Sequence, residues 1–253
     1  MYTIGVEYLG LNSLFTSVLQ VLNLAELGVG SAMVYSMYKP IAEDNTDAIC
    51  ALMLLYRKYY RVIGAIIGII GLILTPMIPS LISGDVPAGI NVYILYLLHL
   101  SATVASYWLF AYKDCLLTAH QRVDIASKVT IVTTTLQYVL QFAALAITKN
   151  YYLYLIAALG TQVINNIIKA IIATKMYPQY SPTGKMEREV VAGINRRIKD
   201  LFTAKIGGVI INSSDTLVIS AVLGLTVLAI YQNYFFILSS VIGFAAVVFS
   251  ACT

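Results

Sequence analysis

Apolar runs of 20 residues or more alternate with short polar connections along most of the chain. A helix that crosses a bilayer needs about 20 apolar residues, whereas a membrane β-strand needs only about 10 with alternating polarity. The pattern therefore predicts an all-α integral membrane protein with about seven transmembrane helices. The predicted helices cover residues 11–38, 48–82, 91–117, 125–147, 152–176, 201–223 and 226–251.

The first predicted helix carries polar side chains on one face, among them a carboxylate near its middle. At helical spacing Asn12, Thr16, Asn23, Glu26 and Gly30 share this face. An ionised acid at that depth costs several kcal/mol unless it meets a partner or water. Two interpretations stay open: a polar seam that only packs helices together, or a water-filled cavity.

Polar stripes recur on four other helices, and this recurrence favours the cavity. A lone intramembrane histidine is more often a packing residue than a ligand, and Lys169 has the alternative of snorkelling to the interface. The stripes comprise His99, Thr103, Ser106 and Lys113; Thr130, Thr134, Gln137 and Gln141; Gln162, Asn166 and Lys169; and Lys205, Asn212 and Asp215.

Composition agrees with a membrane protein and narrows its chemistry. Hydrophobic residues make up 59% of the chain and charged residues 11%, with a mean hydropathy of +0.82. The net charge of +4 is therefore no nucleic-acid signal. The three cysteines, Cys50, Cys115 and Cys252, lack metal-ligand spacing and are predicted to be reduced. No motif for a nucleophile, metal or nucleotide stands out, so we predict neither an enzyme nor a cofactor.

Basic residues predict the orientation in the membrane. Alternating helices place all of the 16 Lys and Arg except Lys149 on the cytoplasmic side. The N-terminus then lies outside, and the opening segment lacks a signal peptide. An outside start directly before a helix leads us to expect that a preceding helix is missing.

The chain divides at its one long polar stretch, residues 177–200, which predicts a cytoplasmic amphipathic linker lying on the membrane surface. We assign residues 1–176 to a first transmembrane bundle and residues 201–253 to the first two helices of a second. A weak internal repeat supports two bundles of one design, as transporters often have. It pairs Gly5 with Gly224, Leu9 with Leu228, and Leu19 with Leu238.

Three segments carry a family resemblance: LNLAELGVGSAMVYSMYKP, YWLFAYKDCLLTAHQRVD and INSSDTLVISAVLGLTVLAIYQNYFFI. With them the chain resembles the polysaccharide (O-antigen, capsule and exopolysaccharide repeat-unit) flippases of the multidrug/oligosaccharidyl-lipid/polysaccharide exporter superfamily. The resemblance implies two six-helix lobes around a cavity, of which this chain would lack the first helix and most of the second lobe. It leads us to expect that this chain alone does not support polymer export, whereas a longer version does.

The resemblance also implies a function. Such flippases move polyprenyl-diphosphate-linked oligosaccharide repeat units from the cytoplasmic to the outer leaflet of the bacterial cell membrane, by ion-coupled alternating access. The expected partners are this lipid-linked substrate, membrane lipids, and a polymerase and glycosyltransferases of the same pathway, with no nucleic acid. The alternatives are a multidrug or peptidoglycan-precursor exporter of the same superfamily, or a non-functional truncated membrane protein.

Within that function we assign roles by chemistry. Glu26 and Asp215 are the candidates for coupling to H⁺ or Na⁺, because a buried carboxylate can exchange either ion. Basic side chains near the cytoplasmic ends suit the diphosphate, although the positive-inside rule alone would place them there. These basic side chains are Lys113, Arg122, Lys169, Arg197 and Lys205. The substrate-cavity candidates are Asn23, His99, Lys113, Arg122, Gln137, Gln141, Asn166, Lys169, Lys205 and Asn212.

Overall fold

The computed structural model describes residues 7–82 and 90–251, and every regular element in these ranges is helical. The predicted all-α class is thus confirmed. Asparagine side chains begin three of the long helices by accepting a hydrogen bond from a backbone N–H of the first turn: Asn45, Asn91 and Asn150. The helices are α1 Glu7–Leu22, α2 Val29–Ala42, α3 Thr46–Leu74, α4 Val92–Trp108, α5 Asp114–Ala119, α6 Val123–Ala143, α7 Tyr151–Met176, α8 Arg188–Leu223 and α9 Leu225–Ala251.

Within the described residues, five helices are long and apolar enough to cross a membrane, and a sixth span results if α4 and the bent segment after it count together. The sequence predicted about seven. The difference arises mainly from the first predicted span, which is divided into helices of 16 and 14 residues. Each of these is shorter than the roughly 20 residues that a bilayer requires.

The division of the first span corrects the prediction of one continuous helix over 11–38. A 3₁₀ turn at Asn23–Glu26 separates α1 from α2, and Gly28 adopts a left-handed conformation with φ 88°. Glycine adopts this conformation at no steric cost, which explains why the chain turns there. The turn places Glu26 at a helix break.

A second break interrupts the predicted helix over 91–117. After α4 the backbone of Phe110 is left-handed, with φ 64°, and a short 3₁₀ turn at Ala111–Lys113 leads into α5. The segment after the break is bent by 46° from α4. The two breaks are neighbours in space, since Tyr107 at the end of α4 touches Asn23 in the first break.

The core lies around α1, which packs against α4, α8 and α9. Leu11, Leu14 and Phe15 of α1 are fully buried there. Helix α3 packs on α2 and α4, while α6 packs mainly on α7. Large apolar side chains on the outer faces of α6 and α9 are exposed, for example Phe142 and Phe236, as expected for surfaces that face lipid.

Helix α8 joins two elements that the sequence analysis separated. It begins inside the predicted surface linker and continues without interruption through the predicted span over 201–223. Ile194, which lies in the predicted linker, is buried against the rest of the molecule. The division into two bundles stays a prediction.

Candidate functional site

A cluster of tyrosine side chains surrounds Glu26. The Tyr60 hydroxyl donates to Glu26 Oε1 at 2.5 Å, and the Tyr107 hydroxyl donates to Oε2 at 2.5 Å. The Tyr56 hydroxyl donates to the Tyr60 oxygen at 2.6 Å. Asn23 Oδ1 lies 3.1 Å from the Tyr107 hydroxyl and completes the group. We call these five residues the Glu26 cluster.

Three separate elements build this cluster. Glu26 ends the 3₁₀ turn between α1 and α2, while Tyr107 lies in the last turn of α4, just before the second break. Tyr56 and Tyr60 are one turn apart on α3, with ring centroids 4.3 Å apart. A Cβ at Gly30 would lie 3.2 Å from the Tyr56 hydroxyl, so the glycine leaves room for α2 beside α3.

The cluster gives the Glu26 carboxylate a donor on each oxygen. A hydrogen bond to a charged group contributes about 1.5 to 3 kcal/mol, so two of them offset much of the cost of removing the charge from water. Glu26 therefore has partners on neighbouring helices, as expected if its polar face only packs helices together. Tyr60, which donates to Glu26, and Tyr56 lie in the wall of a cavity that Glu26 itself does not line.

That cavity has a volume of about 550 Å³ and lies between α2, α3, α7 and the segment after the second break. We call it the central cavity. Its wall is part aromatic, part hydroxyl and amide, and contains one acid and one base. The polar residues of the wall include Ser31, Tyr35, Tyr38, Tyr56, Tyr60, Asp114, Thr118, Asn166 and Lys169.

Asp114 and Lys169 form an ion pair within this wall. Lys169 Nζ lies 3.8 Å from Asp114 Oδ2, and the lysine side chain is only 14% exposed. The other carboxylate oxygen, Oδ1, is buried and has no hydrogen-bond partner within the described part of the chain. The pair thus places a mostly buried cation and an incompletely bonded anion side by side.

The structure brings five of the predicted site residues to this region. Asn23 and Glu26 belong to the Glu26 cluster, and Asn166 and Lys169 line the central cavity. Lys205 of α8 reaches its rim, where Nζ donates to Ser31 Oγ at 3.4 Å.

Two predicted basic residues lie away from the central cavity. The Lys113 ammonium donates to Thr174 Oγ1 at 2.6 Å and lies over the Phe110 ring. Arg122 is exposed at the start of α6, where Nε lies 3.0 Å from Asp124 Oδ1. That hydrogen bond raises the pKa of Arg122. The guanidinium is therefore charged, but it is already paired with Asp124.

Other predicted residues occupy separate places. Gln137 accepts from Thr161 at 3.2 Å in a groove of about 250 Å³ between α6 and α7. Gln141 is buried near that interface, beside Tyr154. His99 is 7% exposed and packs on Phe15, with Nε2 lacking a hydrogen-bond partner among the described residues.

The second ion-coupling candidate, Asp215, is exposed on α8 and accepts from the Tyr231 hydroxyl at 2.9 Å. The side chain of Asn212 lies outside the described part of the structure. A groove of about 420 Å³ between α1, α8 and α9 is lined by Asn12 and Thr16. The polar stripe predicted for the first helix is therefore split by the break into this groove and the Glu26 cluster.

Four residues of the site went unnoticed in the sequence: Tyr56, Tyr60, Tyr107 and Asp114. The i, i+4 spacing of Tyr56 and Tyr60 is visible in LLYRKYY, but it shows only that the two rings share one helix face and not what that face contacts. Tyr107 and Asp114 flank a break that an apolar pattern conceals.

Comparison of the chain with protein-family models, with characterised proteins and with solved structures finds no match, so the family resemblance stays a prediction.

Proposed function

We propose that the protein is a flippase that moves polyprenyl-diphosphate-linked oligosaccharide from the cytoplasmic to the outer leaflet of a bacterial membrane. The observation that carries this proposal is the position of Glu26, a carboxylate at the break of a discontinuous helix, which accepts a hydrogen bond from Tyr60 in the wall of a polar cavity. Transporters place substrate and ion sites at such breaks, since unwound backbone is tolerated in a membrane only where it is buried or lines a cavity.

The central cavity suits the head of such a substrate. Small-molecule sites enclose about 300 to 1,000 Å³, and this cavity of about 550 Å³ would hold a diphosphate with its first sugar. Lys169 in the wall and Lys205 at the rim supply cations, while Asn166 and Thr118 supply partners for sugar hydroxyls. The polyprenyl tail stays in lipid, so the cavity needs no room for it.

The Glu26 cluster would couple transport to an ion. The carboxylate links the first break to α3 through Tyr60 and to α4 through Tyr107. Binding of H⁺ or Na⁺ removes or shares the negative charge and weakens both hydrogen bonds, because neutral acceptors bind hydroxyl donors less strongly. The helices joined at Glu26 are then free to shift. Asp215 with Tyr231 is the second candidate for this role.

Reconstitution tests the proposal directly. The purified chain and the longer version that the resemblance implies are each placed in proteoliposomes with a fluorescent polyprenyl-diphosphate disaccharide. Leaflet exchange is followed by an impermeant quencher, with and without a proton or sodium gradient. We expect gradient-stimulated exchange by the longer version and none by the chain alone. Glu26→Gln keeps the size of the side chain but removes its charge and replaces one acceptor oxygen with an N–H donor. Gradient stimulation of exchange should therefore fall about tenfold or more in this variant. Asp124→Asn, at the exposed start of α6, is the matched control and should keep the stimulation.

Two results would contradict the proposal: no exchange by the longer version, or full gradient stimulation in its Glu26→Gln variant. Gradient-driven movement of a cationic dye in place of the glycolipid would favour the multidrug-exporter alternative.

A further inference from the structure

The Asp114–Lys169 pair is incomplete in a way that suggests a ligand. A lysine ammonium that is 14% exposed needs a counter-charge, and Asp114 is its one ion-pair partner among the described residues. The N···O distance of 3.8 Å is longer than the 2.7 to 2.9 Å of a charge-assisted hydrogen bond. The ammonium therefore keeps donor capacity unused.

The hydrogen bonding of the Asp114 carboxylate is also incomplete. Asp114 Oδ1 is buried without a hydrogen-bond partner in the described ranges, although buried polar atoms are bonded in the great majority of cases. Asp114 is the first residue of α5, directly after the second break. Its side chain is 43% exposed, which leaves it free to turn away from Lys169.

Other groups around the pair suit an anion. Asn166 lines the same cavity and carries N–H donors, whereas the Thr118 hydroxyl in that wall donates to the Asp114 backbone carbonyl oxygen. Lys205 adds a second cation at the rim through Ser31. With Lys169 and Lys205 as cations and Asp114 and Glu26 as carboxylates, the formal charges of the region cancel, and one excess positive charge would remain without Asp114.

We propose that the central cavity binds a diphosphate through Lys169 and that Asp114 is a displaceable counter-ion that competes with it. This inference rests on the proposed function for the identity of the anion. In the empty cavity Asp114 neutralises Lys169. A diphosphate, with more charge and more acceptor oxygens, takes the ammonium, and Asp114 turns toward the open side. Asp114 thereby sets the affinity to a level that permits release.

The opposite charges of the pair give opposite predictions. Asp114→Asn removes the competitor and a like-charge repulsion while keeping shape, so diphosphate should bind about fivefold more tightly. Lys169→Gln removes the binding cation and should weaken binding by about tenfold or more. If the Asp114–Lys169 pair only stabilised the fold, Asp114→Asn and Lys169→Gln would both weaken diphosphate binding.

The test is a titration of the purified full chain in detergent with inorganic diphosphate, by calorimetry or equilibrium dialysis. The matched controls come from the exposed Lys128–Asp124 pair, whose Nζ and Oδ2 lie 3.6 Å apart. Lys128→Gln and Asp124→Asn should each change the affinity by less than about 1.5-fold. Gel filtration and thermal unfolding check that each variant is folded, and Asp114→Ser serves as a second neutral variant with the same expected gain.

Equal or weaker binding by the folded neutral variants of Asp114 would overturn the inference, as would unchanged binding by Lys169→Gln. The double variant Asp114→Asn with Lys169→Gln should bind as weakly as Lys169→Gln alone, because the competitor matters only while the cation is present. A double variant that retains the fivefold gain would place the anion elsewhere and overturn the assignment.

A second arm distinguishes the substrate from a membrane lipid phosphate. The titration is repeated in nanodiscs of phosphatidylcholine with and without phosphatidylglycerol. We expect similar affinities, whereas loss of diphosphate binding only with phosphatidylglycerol would assign the site to a lipid and overturn the proposal. The flippase assay tests the proposed function separately. If lipid exchange occurs but diphosphate does not bind, only this inference is wrong. If the Asp114 and Lys169 variants change diphosphate binding as predicted but no exchange occurs, only the flippase function is wrong.

Discussion

Removing the Tyr107 hydroxyl is the sharpest test of the Glu26 cluster. Tyr107→Phe deletes the donor that lies 2.5 Å from Glu26 Oε2, while the ring keeps its packing against Tyr60, 5.4 Å away between centroids. Tyr107 is only 6% exposed, so water has little access to its hydroxyl. A hydrogen bond to a charged group contributes about 1.5 to 3 kcal/mol, so the free energy of unfolding should fall by about 2 kcal/mol.

Tyr60→Phe should cost more. The Tyr60 hydroxyl donates to Glu26 Oε1 and also accepts from Tyr56. Losing one charged and one neutral hydrogen bond together should lower the free energy of unfolding by about 3 kcal/mol.

A double-mutant cycle shows whether the carboxylate charge is responsible. In a Glu26→Gln background the Tyr107 hydroxyl faces a neutral amide, and its removal should cost only about 1 kcal/mol. The coupling between the two positions is then about 1 kcal/mol. Unfolding is followed in mixed micelles of increasing SDS content by the fluorescence of Trp108, which adjoins Tyr107 and donates to the Arg61 carbonyl at 3.2 Å.

Tyr138→Phe is the matched control, because this α6 side chain is 65% exposed. Its hydroxyl should contribute less than about 0.5 kcal/mol. The reasoning fails if Tyr107→Phe costs no more than this control, or if it costs the same with Glu26 and with the glutamine.

Three further outcomes are expected. A cysteine at Ser181 of a Cys-free variant should be shielded from an impermeant thiol reagent in intact cells, and one at Lys149 should be labelled, since positive charges mark the cytoplasmic side; the reverse pattern would invert the topology. Gly28→Ala should destabilise by about 1 to 2 kcal/mol, because its φ is 88° and the new Cβ would lie 2.7 Å from Leu201 Cβ. Gly207→Ala, in open space within α8, should instead stabilise by about 0.5 to 1 kcal/mol, measured by the same SDS unfolding.

The helical class and the long apolar spans could be predicted because they depend on short stretches of chain. Burial in lipid requires about 20 consecutive apolar residues with every backbone group bonded within the helix, whatever lies beside it. The α7 prediction over 152–176 accordingly differs from the observed Tyr151–Met176 by one residue. Glu26 stood out for the same reason, since a carboxylate is costly anywhere inside such a run.

The two breaks could not be predicted in this way, because a hydropathy pattern averages over many residues. A continuous apolar run predicts a continuous helix, and a single residue such as Gly28 or Phe110 changes the mean hydropathy of the run little. Their left-handed backbone is held by tertiary contacts, such as the approach of α8 to Gly28, where Ile198 and Leu201 lie. Local propensity allowed the turn at Gly28 but did not require it.

The composition of the site was decided by tertiary structure alone. Glu26 meets Tyr60 and Tyr107 across 34 and 81 positions of sequence, and Lys169 pairs with Asp114 only because α7 packs beside the second break. Sequence periodicity describes one face of one helix, whereas these contacts depend on which faces meet and at what depth. The sequence by itself determined that a carboxylate would lie within a long apolar run, and the packing of the broken helices decided which side chains would bond to it.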